Sequence, residues 1–172
     1  MRHTLSAATL LLAVVASVAT STTTPPIAAV DLQRPTAELQ AGDHQRLLFE
    51  VTATQSPEGR FDGALLVSGD VRATVGSARL DTTLSVLDGR GATELAHDSA
   101  TAAPGADGRL FLFDDVDAFA GCADGAECTL TFELLVDTDG RATVDLTVTA
   151  ELYDLADAGR QGSVQVRELP AG

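Results

Sequence analysis

The chain has 172 residues, 45% of them apolar, which suits one compact domain and is too little for several membrane spans. It carries 25 Asp and Glu against 11 basic residues, a formal net charge of −14 that argues against a nucleic-acid partner. Every basic residue is Arg, so lysine chemistry, including Schiff-base catalysis, is excluded.

The chain starts Met1-Arg2-His3 and continues into an apolar stretch, residues 5–19, with Leu10, Leu11, Leu12, Val14 and Val15 at its centre. A basic start, an apolar middle and the small-residue triplet Ser17-Val18-Ala19 predict a secretory signal peptide over residues 1–19, cleaved after Ala19. A membrane-crossing helix needs about 20 strongly apolar residues, so the mature chain is expected to have no membrane span. Removing those 19 residues, one of them Arg2, leaves 153 and moves the formal charge from −14 to −15. Residues 20–42 are rich in Thr, Pro and Ala, with Pro25, Pro26 and Pro35, and predict a linker or loose arm before a single domain over residues 43–170.

From His44 the pattern has period two, with Leu47, Phe49, Val51 and Ala53 on one face, as a half-buried strand requires. Further strands are predicted at residues 64–68, 71–75, 80–87 and 110–113, with a turn or bulge at Gly69-Asp70 and a hairpin turn around Asp88 to Gly91. At most one helical turn is expected near residues 116–120, stopped by Gly121.

Between Arg109 and Arg141 there is no base, while eight acids occur. Asp114, Asp115, Asp117 and Asp124 could converge at one end of a β-sandwich and hold Ca²⁺, which takes six to eight oxygen ligands; a solvated acidic loop is the competing reading. Cys122 and Cys128 are the only cysteines, and export to an oxidising compartment predicts a local disulfide across a looped hairpin turned at Asp124-Gly125. Neither zinc nor redox spacing is present.

The strongest alternation lies in residues 128–136 and 142–152, where every core position is even-numbered: Leu130, Phe132 and Leu134 in the first, Val144, Leu146 and Val148 in the second. An antiparallel pairing that keeps both sets on one face needs an even residue sum, which predicts a hairpin with a three-residue loop, Thr138-Asp139-Gly140, and a left-handed Gly140. Asp137 to Gly140 superficially matches part of an EF-hand loop, but Leu146 would then occupy the carboxylate position, so Asp139 and Gly140 are read as turn formers. A last strand is expected at residues 163–169, with Val164 and Val166 inward.

Seven to eight antiparallel strands predict an all-β sandwich of jelly-roll or immunoglobulin-like type. His44 and His97 sit in no nucleophile or metal motif, and no phosphate-binding loop occurs. No cofactor is implied beyond the calcium reading. Aromatic residues are 4% of the chain, few for the groove of a carboxylate-based hydrolase, so an enzyme is the disfavoured class. The leading expectation is an exported, acidic, non-catalytic binding or accessory module, periplasmic or extracellular, whose partner is a protein or surface polymer. A structural envelope or extracellular assembly protein and a calcium-dependent adhesion module are the alternatives.

Overall fold

The computed structural model describes residues 24–113 and 118–170. The predicted signal peptide and its cleavage point lie outside the described residues. Nine strands form: β1 (Ala28–Leu39), β2 (His44–Gly59), β3 (Asp62–Val75), β4 (Ala78–Asp88), β5 (Gly91–Ala102), β6 (Gly108–Phe113), β7 (Gly125–Thr138), β8 (Arg141–Tyr153) and β9 (Gln161–Leu169). They make two packed antiparallel sheets, β1-β8-β3-β6 and β5-β4-β7-β2-β9. Where alternation is strict the reason is visible: all six even-numbered residues from Ala142 to Leu152 are buried, and their odd neighbours face outward.

Four pairings nest inside one another, β1 with β8, β2 with β7, β3 with β6 and β4 with β5. Ala28 with Leu152, His44 with Asp137, Leu66 with Phe113 and Ala78 with Ala102 have residue numbers adding to 180, 181, 179 and 180. The chain is therefore one long antiparallel ribbon of nearly constant register, rolled so that successive pairs fall in alternate sheets. That is a jelly roll, and it decides against the immunoglobulin-like order. The ribbon's tip is the β4–β5 turn, where Asp88 Oδ1 accepts hydrogen bonds from the N–H groups of Arg90 at 2.7 Å and Gly91 at 3.0 Å. β9 stands outside the ribbon and adds to the free edge of β2.

The described residues form nine strands rather than seven to eight, because the edge strands β1 and β5 carry weak patterns; β5 buries only Ala100 and Ala102 fully. Residues 28–39 are not a linker or loose arm, since β1 pairs with β8 from Ala28 to Leu39. Pro35, which has no N–H to give a ladder, falls where the register shifts between Arg34 and Ala37. Gly69-Asp70 is neither turn nor bulge but the middle of β3, where a Cβ on Gly69 would lie 2.8 Å from Leu146 Cδ2. The shift in β3 comes later, between Ala73 and Val75.

Contrary to the hairpin expected from their alternation, β7 and β8 do not pair with each other. They lie in different sheets, and Asp139-Gly140 carries the chain from one to the other. Their even-numbered faces meet across the core instead of side by side, an arrangement that the parity rule satisfies equally well. Gly140 does not have a positive φ. It is needed for close approach, since a Cβ there would sit 2.6 Å from the Ser77 carbonyl oxygen. The crossing is tied to β4, because Arg79 N–H donates to Asp139 Oδ1 at 2.8 Å and Asp139 N–H to the Arg79 carbonyl at 3.2 Å.

Between the sheets lies one core that includes Phe49, Phe61, Phe119 and Phe132, each at most 2% exposed. Each side of the sandwich has a polar link. On one, Arg34 Nε of β1 contacts Glu168 Oε2 of β9 at 2.9 Å; on the other, the Phe111 N–H of β6 donates to Asp98 Oδ2 of β5 at 2.8 Å.

Candidate functional site

The disulfide between Cys122 and Cys128 is present and joins the 118–124 turn to the start of β7. Cys122 N–H donates to the carbonyl of the buried Phe119 at 2.8 Å, so the crosslink and a backbone hydrogen bond hold the same turn. Asp124 is exposed on this turn, near Arg60 at the same end of the sandwich. Asp114, Asp115 and Asp117 lie outside the described residues, and among the described residues no three His, Cys, Asp or Glu side chains are grouped to hold a metal ion.

Among the described residues the two histidines, His44 and His97, project from the outer face of the five-stranded sheet. His44 Nδ1 contacts Asp137 Oδ1 at 2.5 Å, and His97 Nδ1 lies 3.3 Å from Thr83 Oγ1. β4 and β7 stand between the strands that carry them, so they do not form one constellation.

A polar cluster closes the end of the sandwich where β8 crosses to β9. Arg160 Nη1 donates to the Arg60 carbonyl at 2.7 Å and to Asp62 Oδ2 at 3.3 Å, and its side chain is only 9% exposed. Asp154 accepts from the N–H groups of Arg160 at 2.9 Å and Ala158 at 3.1 Å. The Arg160 N–H, followed by those of Ala158 and Gly159, holds the Asp154 carboxyl below the usual carboxylate range against the effect of burial. Beside it, burial and then the hydrogen bond to Glu151 push Tyr153 up to about 12. This cluster is a lock on the crossing: its carboxylates and guanidinium are turned toward one another.

The outer face of the four-stranded sheet is organised differently. Strand alternation turns Val67, Val71, Leu110, Leu112, Leu146 and Val148 into the core, which leaves their neighbours pointing outward. Register then sets two rows across the strands. Phe111, Ser68 and Thr147 stand opposite one another, with Gln33 continuing the row on β1; Arg109, Asp70 and Asp145 form the next. Together Ser68, Asp70, Arg109, Phe111, Asp145 and Thr147 line a shallow groove of about 390 Å³. Phe111 is 57% exposed, an aromatic ring standing beside hydroxyls and carboxylates.

Two carboxylates directly opposed across strands repel, and each is met by an arginine. Arg109 Nε lies 3.8 Å from Asp70 Oδ1, and Arg72 Nη1 lies 3.6 Å from Asp145 Oδ2. Thr36 Oγ1 also donates to Asp145. None of these groove residues stood out in the sequence as a binding residue. Residues 110–113 are Leu-Phe-Leu-Phe, apolar throughout, so alternation could not show that Phe111 faces outward.

No family model, curated protein or solved structure matches the chain.

Proposed function

We propose that the protein is an exported, non-catalytic binding module that holds a surface polymer on the outer face of its four-stranded sheet. One observation carries the reading: the groove in which an exposed Phe111 ring stands beside Ser68, Asp70, Asp145 and Thr147. Its volume of about 390 Å³ is of ligand-site size, and a few convergent polar groups beside an aromatic surface fix orientation while the ring supplies contact area. The groove sits on a rigid sheet rather than on loops, so its side chains are held in place before a partner arrives. The signal-like residues 1–19 and the Cys122–Cys128 disulfide support export to an oxidising compartment. Among the described residues no helix is long and apolar enough to cross a membrane.

Co-sedimentation with insoluble cellulose, chitin and bacterial cell wall tests this reading on the wild-type chain and on Phe111→Ala. The wild type is expected in the pellet with at least one polymer and the variant in the supernatant. A wild type left in solution by every polymer, or a variant that sediments equally well, overturns the proposal.

A further inference from the structure

We infer that the groove takes a neutral, polyhydroxylated chain, that is, a glycan without charged groups; this rests on the binding reading above. The protein as a whole is strongly acidic, with a formal charge of −14, yet in and beside this groove each acid is met by a base: Asp70 faces Arg109, and Arg72 lies between Asp145 and Asp107, three carboxylates to two guanidinium groups. A cationic partner would meet Arg109 and Arg72 here, and an anionic one is opposed by the field of the whole molecule. With one carboxylate in excess over the two guanidinium groups, neither charge is strongly favoured at this place.

The hydrogen-bonding groups point the same way. Ser68 and Thr147 each offer a hydroxyl that donates and accepts, Asp70 and Asp145 accept, and Arg109, whose side chain is 89% exposed, donates. Such a set matches a ligand whose every hydroxyl is both donor and acceptor, better than it matches a peptide backbone, which pairs most readily with a free strand edge. Phe111 supplies the remaining requirement, an apolar surface on which the C–H face of a sugar ring can lie.

Dimensions agree with a chain rather than a single sugar. Phe111, Ser68, Thr147 and Gln33 fall on four successive strands, and with neighbouring strands about 4.8 Å apart the row extends about 14 Å, room for a few linked rings. The parallel row of Arg109, Asp70 and Asp145 lies two residues along each strand, about 7 Å away, and brackets the chain from one side.

Affinity electrophoresis of the full chain tests the inference, in native gels containing neutral galactomannan, laminarin or hydroxyethylcellulose, with polygalacturonate and chitosan as charged probes. Retardation by at least one neutral polysaccharide is expected, nearly unchanged in about 0.5 M NaCl because few charges are involved. Phe111→Ala and Asp145→Asn are each expected to raise the apparent Kd about ten-fold. Phe111 is exposed and Asp145 half-buried, and retained melting behaviour will confirm that the variants are folded. Retardation by a charged probe alone, lost in salt and lost in Phe111→Ala, overturns the neutral-glycan inference while leaving the groove as the binding site. Retardation by a neutral polysaccharide that Phe111→Ala leaves intact overturns the groove itself. No retardation by any probe overturns the inference, and co-sedimentation then decides separately on the broader reading.

Discussion

Asp98 and Phe111 belong to different sheets, and the Asp98 carboxylate accepts the Phe111 backbone N–H at 2.8 Å. β6 is the edge of the four-stranded sheet and β5 the edge of the five-stranded one, so this bond joins two exposed edges and satisfies a donor on an edge strand. It also fixes the backbone of the residue whose ring stands in the groove. Asp98→Ala is expected to lower stability by about 1–2 kcal/mol, the cost of a hydrogen bond to a charged group, read as a fall in the thermal midpoint. Asp98→Asn, which keeps an acceptor, is expected to lose less. Equal melting of Asp98→Ala and wild type would remove this role.

The crossing from β8 to β9 depends on Arg160. Its side chain is nearly buried against Asp62 and the Arg60 carbonyl, 98 and 100 residues away in sequence. Arg160→Ala leaves Asp62 in place without that partner and is expected to cost about 2–4 kcal/mol in urea denaturation. Gly59 is part of the same fit, since a Cβ there would lie 2.7 Å from Arg160 Nη2. A loss below about 0.5 kcal/mol, the range of ordinary surface changes, would contradict the lock.

Tyr153 is the only tyrosine, so its titration can be read directly by phenolate absorbance. Burial and Glu151 raise its folded pKa to about 12, above the ordinary value near 10. The sign follows from linkage. Below pH 10 the phenol is protonated in both states, and its contribution is fully present. As the pH rises from 10 towards 12 the unfolded chain ionises first, and stability falls. Tyr153→Phe is expected to lack this alkaline loss. A midpoint near 10 in the folded protein would contradict the account.

Asp154 works in the opposite direction. Its folded pKa is depressed, first by the Arg160 N–H, so it stabilises the fold above the unfolded carboxylate value and loses that contribution as the pH falls through the folded one. Asp154→Asn is expected to flatten the acid limb of a stability profile. An unchanged acid limb would mean that the loop hydrogen bonds do not depend on the charge.

The sequence made the inward faces legible wherever apolar and polar residues alternate over a whole strand, as in Leu47 to Ala53 and Ala142 to Leu152. It could not assign β7 and β8 to different sheets, because parity around Asp139-Gly140 is the same for neighbours in one sheet and for strands facing across the core. β5 stayed hidden because it is an edge strand whose fully buried residues are two alanines, and β1 because Pro35 interrupts a half-buried pattern. The disulfide was readable from the spacing of Cys122 and Cys128 together with the expectation of export drawn from residues 1–19. The groove was not, because Phe111, Ser68 and Thr147 are distant in sequence and meet only through the register of β6, β3 and β8.

The most direct test of the central claim is a covalent footprint of the folded chain, labelled by a photogenerated carbene with and without a polysaccharide that it retains. The account predicts that bound polymer protects Phe111, Arg109 and Thr147 and leaves Thr52 and Gln165, on the outer face of the opposite sheet, labelled as before. Protection of the Thr52 and Gln165 face, with Phe111 labelled equally in both conditions, would contradict it.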